Sequence, residues 1–191
     1  MPELLGHLGM GLLFALPAWI LWRGRTAGAF VAFVVLTAKL PDLDLKLQDL
    51  GLPVKHHGVL HTIVFVVGFS AVAGAVAVVV LRPVLRRWWR LTEHEEVHSG
   101  TLYLFVTGGF TLGGLSHLFA DMLAADRYEP IEPFWPFVQE SFSFYVAHYT
   151  SPWLNLGVLI VAALLHAAVM VFGQFPIEHQ YRRWKRELSS E

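Results

Sequence analysis

Histidine and aspartate side chains gather where the apolar segments of this chain begin or end. They are Asp42, Asp44, His56, His57, His61, His117 and Asp121. Ionisable groups in or beside lipid are costly and are rarely kept there without a function. Imidazole nitrogens and carboxylate oxygens are ligands for divalent metals such as zinc. The chain has no cysteine to supply a thiolate, so these residue types predict a metal site with nitrogen and oxygen ligands.

The spacing within this set indicates which side chains meet. His117 and Asp121 lie four residues apart, which places them on one face of a helix. Their surroundings are apolar, so we favour metal ligation over a satisfied structural pair. Asp42 and Asp44 follow Pro41 and fit either oxygen ligands or a turn whose carboxylates accept backbone hydrogen bonds. Taken alone these two interpretations are balanced, and the neighbouring histidines favour ligation.

Three histidines, His56, His57 and His61, stand within six residues at the start of an apolar segment. At least one of them is expected to be a ligand. Gly58 allows a tight turn into the helix. His57 and His61 would share a helix face if the helix began early. His56 and His61 would converge if the turn at Gly58 brought His56 inward.

The six further histidines outside this set need separate interpretation. His7 stands alone in an apolar segment, where a histidine is more often a core residue, but its expected depth on the same side as the other candidates supports ligation. His148 lies in a loop and fits a surface residue better than an additional ligand or proton shuttle. His166 is deep in the last apolar segment, where we favour packing or hydrogen bonding. His94 and His98 lie in a charged loop that is expected to be solvated, and His179 near the C-terminus is interpreted in the same way.

The elements that must position these residues are membrane helices. The chain of 191 residues is 55% hydrophobic and 15% charged, whereas soluble domains carry about 25% charged residues. The net charge of −1 gives no indication of a nucleic-acid partner. We therefore expect one membrane-embedded domain over residues 1–191, with membrane lipids around it and an oligomeric state that the sequence does not define.

Five apolar segments predict an all-α, polytopic bundle of about five transmembrane helices. They run approximately over 4–22, 26–40, 59–81, 101–123 and 153–175. About 20 residues cross a bilayer core, so the second segment is marginal and could end inside the membrane. Glycine and serine recur in the fourth segment, and small residues let helices approach closely in lipid. The fourth segment is therefore expected to be central.

The basic residues predict the orientation of the bundle. Ten of them fall on one side of the five segments: Arg23, Arg25, Arg82, Arg86, Arg87, Arg90, Arg182, Arg183, Lys185 and Arg186. Four fall on the other side: Lys39, Lys46, Lys55 and Arg127. The positive-inside rule then places the N-terminus outside, the C-terminus in the cytoplasm and every candidate ligand at the outer face of the plasma membrane. The prediction requires the second segment to cross.

A loop rich in proline and aromatic residues, residues 128–137, separates the fourth and fifth segments. An aromatic belt at the membrane interface is the favoured interpretation. The loop could also cover the site and hold an apolar substrate.

In four places the chain resembles the membrane-bound, predicted metal-dependent hydrolases of the YdjM type, described as LexA-binding inner-membrane proteins. These places are the His7–Gly11 pair, the Pro41–Asp44 turn, the His56–Thr62 block, and Ser116–Asp121 followed by Trp135-Pro136. The resemblance implies His56 and His61, rather than His57, as ligands. His57 stands where the family usually has arginine, which weakens phosphate recognition at this position because histidine lacks the bidentate fork. Leu60 and Gly6 replace common threonines.

The order of histidines and aspartates also resembles zinc-dependent phospholipase C and P1 nuclease, although this similarity is more distant. It implies a phosphoester substrate. A further His-x-x-x-Glu of that group has no counterpart after Asp121, so three metal ions are not expected.

The function expected from these observations is a membrane metal-dependent hydrolase that acts on a lipid or lipid-linked phosphoester. The metal ligands would be His7, Asp42, Asp44, His56, His61, His117 and Asp121, with His57 and His148 as possible additions. Asp42 or Asp44 would be the base, and one or two ions, preferably Zn²⁺, would activate water. Seven ligands are more than one tetrahedral zinc can bind. We therefore expect either two ions or a supporting role for some of these residues. The alternatives are a transporter or ion pathway, and a non-catalytic protein with a structural metal.

Overall fold

The computed structural model of the protein describes residues 4–22, 24–92, 98–125 and 130–172. Its helices are α1 (Leu4–Ala15), α2 (Ala18–Leu21), α3 (Gly24–Thr37), α4 (Leu43–Asp49), α5 (Ile63–Thr92), α6 (Ser99–Leu123) and α7 (Val158–Phe172). A 3₁₀ turn at Val59–His61 precedes α5, and a π-helical turn at Trp153–Gly157 leads into α7. Two short strands, β1 (Ala124–Ala125) and β2 (Ala147–His148), pair in parallel with Ala124 opposite Ala147. The all-α prediction is confirmed.

Four stretches of the described chain are long and apolar enough to cross a membrane. They are Leu4–Leu21, Ile63–Val84, Ser99–Leu123 and Trp153–Phe172. The second predicted segment forms the 14-residue helix α3, about 21 Å long at 1.5 Å per residue, against a hydrocarbon core of about 30 Å. The fifth crossing, and the topology that depends on it, therefore remain predictions.

Helix α6 packs against α1, α3 and α5, which confirms that the fourth segment is central. Gly113 shows how small residues permit this packing. A Cβ atom at Gly113 would lie 2.7 Å from the carbonyl oxygen of Val34 on α3. At the same contact, the hydroxyl of Thr37 donates a hydrogen bond of 2.9 Å to the carbonyl oxygen of Gly109. The small residues of α6 therefore bring α3 close enough for the segment after α3 to reach the end of α6.

The first and third apolar segments differ from the sequence prediction in where their helices begin and end. The third apolar segment becomes helical at Ile63 rather than Val59, because residues 59–61 form the 3₁₀ turn, and the helix continues beyond Leu81 to Thr92. The first segment is interrupted at Pro17, which starts α2 and cannot donate an amide hydrogen bond within a continuous helix. His57 and His61 consequently do not share a helix face.

The candidate ligands lie together at one end of the bundle. Helices α1 and α5 begin at this end, and α3 and α6 end there. Towards the other ends of α1 and α3, the core is apolar and includes Ala15, Trp19, Ala27, Phe30 and Val34. The bundle therefore separates an apolar core from a polar end.

Candidate metal centre

Four donor atoms from three separate segments converge at the polar end of the bundle. They belong to Asp42 after α3, His61 before α5, and His117 and Asp121 on α6. His117 Nε2 lies 3.2 Å from His61 Nε2, 3.2 Å from Asp121 Oδ2 and 3.4 Å from Asp42 Oδ1. His61 Nε2 lies 3.8 Å from both Asp42 Oδ1 and Asp121 Oδ2. We call these four residues the central set.

Five of the six donor–donor distances within the central set are near those between the ligands of a tetrahedral metal. Four nitrogen or oxygen ligands at about 2.0–2.1 Å from zinc would be separated by about 3.3–3.4 Å. The five distances given above fall between 3.2 and 3.8 Å. The donor set of two imidazoles and two carboxylates therefore suits one divalent ion in both chemistry and spacing.

Burial makes a bound cation the natural partner for these atoms. Asp42 Oδ1 and Asp121 Oδ2 are buried and make no hydrogen bond within the described part of the chain. Native proteins rarely leave buried polar atoms unsatisfied, because the lost hydration must be replaced. Although Asp42 occupies the N-cap of α4, its side chain makes no capping hydrogen bond there. The backbone-capping interpretation of Asp42 therefore does not describe this structure.

Asp44 lies behind His61 rather than in the central set. Its Oδ2 atom is 3.2 Å from His61 Nδ1, and its Oδ1 atom is 3.0 Å from His56 Nδ1. A carboxylate at the Nδ1 side of a metal-binding histidine fixes the ring and leaves Nε2 for the metal. Asp44 is thus placed to orient His61, with His56 on its other oxygen. Donor atoms of Asp42, Asp44, His56 and His61 are also close enough together to hold an ion themselves.

His7 supports the opposite side of the central set. Its ring stacks on His117 with 4.0 Å between the centroids and 23° between the planes. Its Nε2 atom lies 3.2 Å from Asp121 Oδ1, so the two oxygens of Asp121 face different histidines. His7, His117 and Asp121 form a second group whose donor atoms are close enough to share an ion. The geometry accommodates either a second ion or a positioning role for His7.

The carboxyl groups that follow α3 are held in their ionised form. Burial raises the pKa of Asp42, but His117 and Lys39 beside it outweigh this effect and lower the pKa below its ordinary value. Burial likewise raises the pKa of Asp44, and His61 and His56 outweigh it. The ammonium group of Lys39 donates a hydrogen bond to Asp42 Oδ2, which leaves Oδ1 directed at the histidines. Sequence reasoning missed Lys39, although its position three residues before Asp42 is consistent with such a contact.

The turn between His56 and His61 positions all three histidines. His57 adopts a φ of 57°, which is uncommon for a bulky residue and is characteristic of functional sites. Gly58 is required here because a Cβ atom would lie 2.7 Å from the carbonyl oxygen of Lys55. His57 is buried, and its ring centroid lies 4.7 Å from that of His61. His57 belongs with His56 and His61 to a group whose donor atoms are close enough to hold an ion. The choice of His56 and His61 over His57, which the resemblance implies, remains a prediction.

The structure brings together all seven predicted ligands but not His148. The His148 side chain is exposed and bonds locally, with 2.9 Å between His148 Nδ1 and Thr150 Oγ1. His148 belongs to none of the possible metal-binding groups among the described residues. His166 has the hydrogen-bonding role that was predicted for it, since its two nitrogens contact Trp19 and the carbonyl oxygen of Leu12. His94, His179, Arg127 and the first two residues of the proline-rich loop lie outside the described residues.

Part of the loop between α6 and α7 covers this end of the bundle. The amide of Ile63, the first residue of α5, donates a hydrogen bond of 2.9 Å to the carbonyl oxygen of Pro133. Glu132 and Trp135 of this loop line a cavity that His57 also lines. This arrangement supports the interpretation that the loop covers the site.

A family model for YdjM inner membrane proteins matches residues 1–184. The chain belongs to the YdjM inner membrane protein family. The match spans every segment that contributes to the central set, and it confirms the resemblance that four separate sequence blocks suggested. No curated protein and no solved structure matches the chain. The similarity to phospholipase C and P1 nuclease therefore remains a prediction.

Family membership and the apolar helices together establish a membrane protein of the YdjM family. They leave the orientation as a prediction, since Arg23 and the four basic residues after position 181 lie outside the described residues. The location of the metal centre at the outer face depends on that orientation.

Proposed function

We propose that this YdjM-family protein is a metal-dependent hydrolase that cleaves a phosphoester in a lipid or lipid-linked substrate at the outer face of the plasma membrane. The observation that carries the proposal is the convergence of four buried donor atoms beside a cavity. A bound divalent ion, with zinc as the first candidate, would lower the pKa of a coordinated water and polarise the ester. The distant similarity to phospholipase C and P1 nuclease favours a phosphoester.

The residues of the centre have distinct proposed roles. His61, His117 and Asp121 provide the two-histidine, one-carboxylate set that resembles three-ligand catalytic zinc sites. Asp42 lies at the fourth position, where the contact from Lys39 directs Oδ1 towards the histidines. There it can accept the proton of an attacking water. Asp44 orients His61, and His7 holds Asp121, so these two residues act as positioning groups.

The experiment that tests this division compares Asp42→Asn, at the N-cap of α4, with Asp49→Asn, at an exposed carboxylate that ends α4 and pairs with Lys46. Metal content and phosphodiester hydrolysis are measured on each purified variant. If Asp42 accepts the proton, Asp42→Asn retains the metal and loses about 10²–10⁴-fold in kcat, whereas Asp49→Asn matches the wild type. Absence of hydrolysis of any phospholipid or phosphodiester by the metal-loaded wild type would contradict the proposed function.

A structural metal is the second candidate, because two histidines and two aspartates could close a tetrahedral site without an open position. The same variants separate this candidate from the first. In a closed structural site, Asp42→Asn would release the metal and lower the unfolding temperature together, and the wild type would not hydrolyse phosphoesters.

A further inference from the structure

A cavity of about 330 Å³ lies beside the metal centre, between the turn before α5 and the loop after α6. His57 links the two, because it lines the cavity and its ring contacts that of His61. This volume is near the lower end of the range of about 300–1,000 Å³ for small-molecule sites. Val59 and Trp135, which also line it, are 50% and 36% exposed. The cavity is therefore suited to a polar headgroup whose apolar chains remain outside.

The cavity presents one charge of each sign. Lys55 Nζ lies 3.7 Å from Glu132 Oε1, and their side chains are 74% and 32% exposed. Ion pairs in such exposed positions are weak and exchange partners readily. A ligand that carries both a phosphate and an ammonium group could therefore replace the Lys55–Glu132 pair with two complementary contacts.

The Glu132 side of the cavity is suited to an ammonium group. Trp135 also lines the cavity and lies in the same turn as Glu132, and an indole ring attracts cations through its π face. A carboxylate beside an aromatic ring is a combination that suits a cation and disfavours an anion. The Lys55 side, which is close to His57, suits the phosphate. Lys55 and Glu132 thus match the phosphate and the ammonium group of a zwitterion, with the phosphate on the side of His57, whose ring lies beside that of His61.

We propose that this cavity binds the headgroup of a zwitterionic phosphodiester lipid, with its phosphate towards Lys55 and His57 and its ammonium group against Glu132 and Trp135. This assignment rests on the proposed function for its role as a substrate site. An anionic phosphodiester without an ammonium group would place no cation against Glu132. The cavity therefore selects for zwitterionic over purely anionic headgroups.

The test measures binding of three water-soluble headgroups to the full, metal-loaded chain by isothermal titration calorimetry. Glycerophosphoethanolamine and glycerophosphocholine carry primary and quaternary ammonium groups, and glycerophosphoglycerol is the matched phosphodiester without one. At least one zwitterion should bind tenfold or more tightly than glycerophosphoglycerol. Glu132→Gln should remove this preference, and Lys55→Met should weaken all three ligands. Glu140→Gln, at an exposed carboxylate of the same loop, is the control and should preserve the preference.

Equal affinity for all three headgroups, no saturable binding, or equal effects of Glu132→Gln and Glu140→Gln would overturn the assignment. Binding also separates this inference from the proposed hydrolase. A zwitterion preference that depends on Glu132, without any hydrolysis, would support the headgroup site and contradict the enzyme. Hydrolysis without the preference would support the enzyme and contradict the headgroup site.

Discussion

His166 and His117 are both buried histidines on membrane-spanning helices, yet their ring nitrogens meet different partners. His166 Nδ1 accepts a hydrogen bond of 2.7 Å from the indole of Trp19, and Nε2 donates one of 2.8 Å to the carbonyl oxygen of Leu12. One donor and one acceptor satisfy a neutral imidazole completely. His117 Nε2 instead faces another histidine and two carboxylates within 3.4 Å. The first environment satisfies both hydrogen-bonding groups of the imidazole. The second places several potential metal-donor atoms close to one ring nitrogen.

The comparison also bears on the transporter alternative, which predicts polar groups that continue across the membrane. The hydroxyls of Ser70 and Ser116 donate to carbonyl oxygens of their own helices, and Thr37 bonds to α3 and α6. His166 is satisfied by its two neighbours. Among the described residues, these groups serve helix packing and provide no support for an ion pathway.

The largest expected difference between the two sites is in metal content. His117→Ala should reduce the bound metal from about one equivalent to near zero, because it removes the donor at the centre of the set. His166→Ala should retain the metal and lower the free energy of unfolding by about 1–3 kcal/mol, since Trp19 loses its acceptor. Elemental analysis and thermal unfolding of both variants test this pair. Equal metal loss in both would show that the contrast reflects general destabilisation.

A smaller effect is expected from the carboxylate behind His61. Asp44→Asn should weaken metal affinity by about 10–100-fold, as is typical when an orienting partner of a histidine ligand is lost. Competition with a chelator measures this affinity, with Asp49→Asn as the control on the same helix. An unchanged affinity would place Asp44 outside the metal centre, and complete metal loss would make it a direct ligand.

The smallest and most graded effect is the response of the metal-free protein to pH. Because the pKa of Asp42 and that of Asp44 are lowered in the folded state, their stabilisation is present above the ordinary carboxyl pKa of about 4 and is lost as pH falls below it. Among the described residues, the contacts of His166 are with Trp19 and Leu12 rather than with a carboxylate, so this site should not contribute to the change. As the pH is lowered from 6 to 3, the unfolding temperature should decrease more steeply in the wild type than in Asp42→Asn. Parallel curves would contradict the lowered pKa values.

Many residues of the site could be predicted because residue type and short-range spacing in the sequence are enough to identify them. Hydrophobic segments of about 20 residues reveal membrane helices, and charged or imidazole groups at their ends stand out against them. His117 and Asp121 share a helix face at any register of α6, so their association followed from spacing alone. Small residues in the same segment likewise indicated a central helix.

The arrangement of the ligands could not be predicted, because it depends on contacts between distant segments. Whether a carboxylate faces Nδ1 or Nε2 of His61 decides whether it orients the ring or shares the metal, and no spacing encodes that choice. The 3₁₀ turn that delays the start of α5 follows from local backbone geometry around Gly58. Lys55 and Glu132 carry no motif and meet only when the loop after α6 packs against α5.

X-ray absorption at the metal edge of the purified wild-type protein, combined with elemental analysis, tests the central claim most directly. The account predicts at least one divalent ion per chain with only nitrogen and oxygen neighbours, at about 2.0–2.1 Å if the ion is zinc, and with the scattering pattern of imidazole. A folded protein that takes up no ion after metal repletion, or an ion whose spectrum shows no histidine ligands, would contradict it.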